Sequence, residues 1–261
     1  MARQGSEDDP RPGPDHTTGP GSREGAPHLH DEGDHVLILP PGSTPGPTIE
    51  SVHFDPDHLE REGLVTGRSR GRRTAWFVTV DDLKMVLRHY WRGGLAAHLS
   101  DDLHLFTGVR RSRPWHEVAL LSELRARGLP APVPLAARLT PHGPFYRADL
   151  LTVEIPGTRT LARAIRDGGF DGARWVEVGR TIRRFHDAGA HHADLNVRNI
   201  LVGDDAGAWL IDWDKGRMRR PGGRWPARTI ARLHRSLLKE PELARAAERH
   251  WTTLVRAWES G

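Results

Sequence analysis

From about Glu50 onward, apolar positions recur at two distinct spacings. Ala75–Val80 (AWFVTV) and Met85–Tyr90 (MVLRHY) are runs rich in β-branched and aromatic residues, with Asp81-Asp82 close behind the first. They read as two strands joined by a tight turn. In "PWHEVALLSELRARG" the period changes: Val118, Leu121 and Leu124 recur every three residues with Leu120 alongside, and Gly128 follows. That pattern predicts a helix closed by glycine. Pro130, Pro132 and Pro134 forbid its continuation. "LAARLT" and "FYRADLLTVEI" predict two more strands, the second ending at Pro156-Gly157. Beyond them the pattern is mainly helical. "TLARAIRDGG" is a short helix, and "ARWVEVGRTIRRFHDAG" places Trp175, Val178, Ile182 and Phe185 on one stripe. Two short strands lie in "HHADLNVRNILVGDDAGAWLIDWDKG", and two helices split near Pro241 complete the chain. A strand-rich half with one inserted helix therefore precedes a helix-rich half.

Residues 1–34 stand apart, being rich in Pro, Gly, Asp and His and nearly free of large apolar residues. Such a segment buries too little surface to offset its ordering entropy and is expected to be a disordered tail. A short strand within His35–Leu39 should end it. Residues 35–153 form the strand-rich unit and residues 154–261 the helical one. At 37% hydrophobic residues the chain can build a packed core. No apolar run approaches the length of a membrane span, and no signal peptide is expected. Without cysteine there are no disulfide partners and no thiolate metal sites. Residues 1–35 carry eight acidic residues against three arginines, leaving 35 basic against 26 acidic residues in the rest. A basic body suits an anionic partner. Nucleic acid is not expected, because no reader motif accompanies the charge.

The candidate chemistry lies in the two polar knots of the late strand pair. Asp194 falls in a loop between a helix and a strand, with Asn199 five residues later just ahead of "ILV". Asp212 directly follows the apolar pair Leu210-Ile211. A carboxylate can accept a hydroxyl proton, and an amide or carboxylate oxygen can ligate Mg²⁺. Two carboxylates and an amide aimed at one point are what phosphoryl transfer requires. His192 would brace the loop by hydrogen bonding.

"HxDLxxxNIL" followed by "LIDxD" resembles the catalytic and metal-binding loops of the protein-kinase-like superfold. "GRRTAWFV", "VLRHYWRGGL", "RPWHEVALLSELRARGLPAPVPLAAR" and "YRADLLTVEIPG" extend the likeness. Together they resemble the 3-deoxy-D-manno-octulosonic acid (Kdo) kinases, the lipopolysaccharide-kinase group, over roughly residues 67–238. The resemblance implies an α+β, two-lobed protein-kinase-like fold with a β-rich N-lobe and a helical C-lobe. It assigns Asp194 to the catalytic aspartate, with His192 beside it, and Asn199 and Asp212 to Mg²⁺. Glu117 becomes the helix glutamate that pairs with the phosphate-binding cation. Kinases in general carry lysine where this chain has Arg88, and the resemblance implies that arginine is normal in this group. Lys84, four residues earlier, is a weaker candidate on the same strand face. Backbone groups near Glu154 would meet adenine. The metal loop reads Asp212-Trp213-Asp214 in place of Asp-Phe-Gly, leaving Asp214 as an added ligand or a turn residue.

The basic turn "TGRSRGRRTAW" has only Gly67 and Gly71, so it matches neither GxGxxG nor a P-loop, although its amides could still cover phosphates. Arg92, Arg110 or Arg111 could contact an anionic acceptor. The expected reaction is ATP- and Mg²⁺-dependent phosphorylation of a Kdo hydroxyl on a lipid A precursor, the resemblance implying the 4-hydroxyl. The alternatives are a kinase for another small molecule or a protein, or a catalytically weak membrane-docked scaffold. Arg228, Arg232, Arg235 and Lys239 on the first C-terminal helix, with Trp225, Trp251 and Trp258 nearby, predict peripheral contact with the cytoplasmic face of an anionic inner membrane.

Overall fold

A computed structural model describes residues 25–43, 49–69, 74–91, 102–204 and 207–261. Gly71, Arg92 and the first 24 residues of the expected tail lie outside the described residues. The N-terminal half contains strands β1 (His28–Asp31) and β2 (Val36–Leu39), helix α1 (Pro56–Arg61), and strands β3 (Val65–Arg68), β4 (Ala75–Val80), β5 (Leu83–His89) and β6 (His104–Leu105). Helix α2 (Arg113–Ala126) and strands β7 (Pro134–His142) and β8 (Phe145–Val153) complete it. Among the described residues these strands form one antiparallel sheet in the order β1-β2-β7-β8-β5-β4-β3, with β6 against β8.

The β4–β5 hairpin turns on Asp81 and Asp82, with φ of 47° and 64°. Two left-handed residues give the turn a twist that matches the strands, and aspartate tolerates that region better than most side chains. Alternation along β5 then sorts its residues. Met85 and Leu87 enter a small core with Leu37, Phe54, Leu59, Val78 and Leu151. Arg88 lies on the other face, toward α2, where Ile38, Ala137, Leu139 and Leu150 join the larger core. The stripe Val118, Leu121 and Leu124 of α2 is buried there, as its spacing predicts.

Part of the expected tail, from residue 25 onward, is folded. His28–Asp31 is a strand paired with β2 from His28↔Leu39 to Asp31↔Val36. Its side chains are mostly exposed, so backbone hydrogen bonds to the sheet hold it, and no apolar pattern announces it.

The second half contains β9 (Thr158–Thr160), α3 (Leu161–Asp167), α4 (Gly172–Asp187), β10 (Ala190–His191), β11 (Ile200–Gly203), β12 (Ala208–Leu210), β13 (Arg217–Met218), α5 (Trp225–Leu237) and α6 (Pro241–Ser260). β11 pairs with β12 and β9, and β10 with β13. Trp175, Val178, Ile182 and Phe185 face the core from α4. Helix α4 meets α6 at Gly179, where an added Cβ would lie 2.4 Å from the Leu254 carbonyl oxygen. Glycine therefore sets the approach of the two longest helices. Trp225 is buried, and Trp251 and Trp258 are partly buried against the main core, so none of the three stands free at the surface.

Candidate active site

The β11–β12 hairpin carries both polar knots. Ile200 pairs with Leu210, which brings the start of one strand beside the end of the other. The Ile211 amide donates to the Asn199 carbonyl at 3.0 Å, placing Asn199 next to the residue before Asp212. The loop ahead of β11 folds around the Asp194 carbonyl, which accepts from Asn196 Nδ2 and Asn199 Nδ2, both at 2.9 Å. Asn196 Oδ1 in turn accepts from the Arg198 amide. With Nδ2 spent on the loop, Oδ1 is the Asn199 atom that can ligate a cation. Buried Leu195 and Val197 anchor the loop, and Ser236 Oγ on α5 accepts from the Val197 amide.

His192 braces this loop. Its Nδ1 accepts from the Asp194 amide at 3.2 Å, so Nε2 carries the proton and donates to the Ile211 carbonyl at 2.8 Å. Burial holds its imidazole below the usual pKa. The ring therefore stays neutral and links the two loops, with both nitrogens committed to backbone. His191 faces Trp225 and has no such link to Asp194.

Arg88 joins the two halves of the molecule. Its Nη2 donates to both Glu117 oxygens, at 2.6 and 2.7 Å, and its Nη1 donates to Asp212 Oδ1 at 2.9 Å. The Tyr90 hydroxyl donates to Glu117 Oε2 at 2.7 Å. Burial pushes the Glu117 carboxyl up and works against the Arg88 charge. For Arg88, the carboxylates of Glu117 and Asp212 outweigh burial and keep the guanidinium firmly protonated. Asp212 has φ +64°, a left-handed conformation that costs energy and turns its side chain at the end of the strand. Lys84 is exposed, and its carbonyl accepts from the Glu154 amide at 2.9 Å.

Asp214 faces α2. Arg113 Nε donates to its Oδ1 at 2.6 Å, and Nη2 bonds its Oδ2. Burial would raise the Asp214 carboxyl, but the Arg113 hydrogen bond and charge override it and hold the group below its usual range. With both oxygens engaged, Asp214 ties the loop after Asp212 to the helix that carries Glu117. Trp213 is buried between Phe185 and His192, with ring centroids 5.1 and 4.7 Å away.

Gly67 lies on β3, where an added Cβ would meet only Phe77 at ordinary contact distance. Arg110 stacks its guanidinium on Trp115. Arg111, His116, Lys215 and Arg217 line a cleft of about 490 Å³ beside Asp214. Sequence reading missed Arg113, Asn196 and a further contact: Arg232 on α5 donates from Nε to Asp194 Oδ1 at 3.0 Å, with Nη2 on the same atom. Asn196 carries a local signal, since asparagine favours hydrogen bonds to nearby backbone. The arginines carry none, because their partners are distant in sequence.

A partly buried cation clamped by one carboxylate from each half fits the class: the fold is α+β and protein-kinase-like, and the protein is a kinase. The match extends further, and the chain belongs to the Lipopolysaccharide kinase (Kdo/WaaP) family, whose model matches residues 57–258. It is similar to the 3-deoxy-D-manno-octulosonic acid kinase of Photobacterium profundum, 44% identical over 187 residues, covering 72% of this chain and 79% of the relative. The enzyme of the same name from Stenotrophomonas maltophilia (strain R551-3) is 46% identical over 73% of this chain and 76% of the relative. That from Vibrio cholerae is 39% identical over 71% and 79%.

Proposed function

We propose that this kinase transfers the γ-phosphoryl group of ATP to a Kdo hydroxyl, the 4-hydroxyl, on a lipid A precursor during lipopolysaccharide biosynthesis. The clamp of Arg88 by Glu117 and Asp212 carries the phosphoryl-transfer reading, and the names of the relatives carry the acceptor. Asp212 and the Oδ1 of Asn199 would hold Mg²⁺. Two hard oxygen donors suit that ion when phosphates and water complete its shell. When bound, the ion neutralises phosphate charge.

Arg88 presents a fixed positive charge where the phosphates of ATP would lie, without reorganising during the reaction. Asp194 orients the acceptor hydroxyl and takes its proton. His192, Asn196 and Asn199 hold the Asp194 loop in place. Backbone groups near Glu154 receive adenine, and the backbone at Gly67 faces the phosphates. Arg111, Lys215 and Arg217 favour anionic groups of the acceptor along the cleft beside Asp214. No described helix is long and apolar enough to cross a membrane. Exposed Arg228, Arg235 and Lys239 suit peripheral contact with the anionic cytoplasmic face of the inner membrane.

The test is incubation of the full chain with labelled ATP, Mg²⁺ and a Kdo-bearing lipid A precursor, with fragment mass analysis of the product. A single added phosphate on the Kdo 4-hydroxyl is expected. Phosphate on the lipid A disaccharide, or transfer only to an unrelated acceptor, would contradict the proposal.

A further inference from the structure

Arg232 does not simply face outward with the rest of its helix row. It reaches the carboxylate of Asp194, and both contacts fall on Oδ1. Among the described residues Oδ2 takes no hydrogen bond, so it is the oxygen left for a hydroxyl nucleophile. Both side chains are half-exposed, at 49% and 46%, and the guanidinium thus borders the space that an acceptor must enter.

We infer that Arg232 recognises the carboxylate of a sugar-acid acceptor and so selects it over a neutral sugar. The inference rests on the Kdo reading above, in which the acceptor sugar is an acid. Three observations support it. The guanidinium approaches Asp194 through one edge, Nε and Nη2, and Nη1 has no partner among the described residues. Swinging Nη2 from Asp194 to the acceptor would present Nη1 and Nη2 as a fork to a carboxylate, a geometry that lysine cannot reproduce. The exchange is also cheap, because a half-exposed ion pair contributes little to stability. Finally, a sugar acid carries its carboxylate and its hydroxyls on one ring, so a cation beside the proton acceptor can read the acid while the hydroxyl meets Oδ2. The same movement frees Asp194 when the correct acceptor arrives.

The experiment compares two acceptors, the Kdo-bearing lipid precursor and its C1 methyl ester, with wild type, Arg232→Ala and Arg232→Lys. Wild type should prefer the acid by roughly tenfold or more in kcat/KM, expressed mainly in acceptor KM. Arg232→Ala should reduce that preference to about twofold or less, leaving KM for ATP unchanged, and Arg232→Lys should restore part of it. A merely structural role would slow both acceptors alike. An acid preference that survives intact in Arg232→Ala, or is absent from wild type, would overturn the inference while leaving the Kdo reading standing. If wild type phosphorylated neither acceptor, the Kdo reading would fall and this inference with it.

Discussion

Arg88 holds carboxylates 29 and 124 residues away at the same time. Lysine would bring equal charge but a single point of attachment, and it could not span Glu117 and Asp212 with comparable geometry. Arg88→Lys is therefore expected to lower kcat/KM for ATP by about tenfold or more. Steady-state kinetics at varied ATP check this, and wild-type values would contradict the clamp's role. At this scale the legible residues were those whose spacing is local. Asp194, Asn199 and Asp212 flank one short hairpin, and Glu117 lies on a helix with a clear stripe. Arg232 and Arg113 were illegible as partners. Their carboxylates lie 38 and 101 residues away, and nothing in the local pattern of an arginine says which carboxylate it will meet.

The α4–α6 pair carries a titratable contact. Trp258 Nε1 donates to His186 Nδ1 at 2.9 Å, so that nitrogen must stay unprotonated. Burial, with His191 nearby, lowers His186 to about 4. His191 is likewise lowered to about 4, by burial and then by Arg219 and Arg217. The unfolded chain therefore binds protons on these histidines near pH 6.5 that the folded chain refuses until about pH 4. Their stabilisation is complete above pH 6.5 and is lost as the pH falls toward 4. For His186 the loss approaches roughly 3 kcal/mol. Thermal melts from pH 7 to 4.5 should show a falling Tm, and His186→Gln should flatten that slope. An unchanged slope in the variant would contradict the assignment. Elements with their own periodicity, α2, α4, α5 and the β4–β5 hairpin, were readable from sequence. Strands β1, β9, β10 and β13 were not, because each is short, carries no apolar pattern of its own and exists only through its pairing, with the neighbouring β2 for β1 and with more distant segments for the others.

At the scale of the whole molecule, the predicted two-part order matches the structure, with the large sheet ending at Val153 and helices dominating beyond it. Of the tryptophans predicted to assist membrane contact, Trp225 is buried and Trp251 and Trp258 pack partly buried against the main core, and Arg232 leaves the basic row to join Asp194. What remains of the outward basic face is purely electrostatic. The proposed reaction needs Asp194 to meet an acceptor hydroxyl. The most direct measurement is acceptor-dependent phosphate transfer by wild type and Asp194→Asn, side by side on Kdo-bearing lipid precursor. The amide preserves shape but cannot take the proton. A loss of at least ~10²-fold in turnover with nucleotide binding retained is expected. Turnover near the wild-type rate would contradict it.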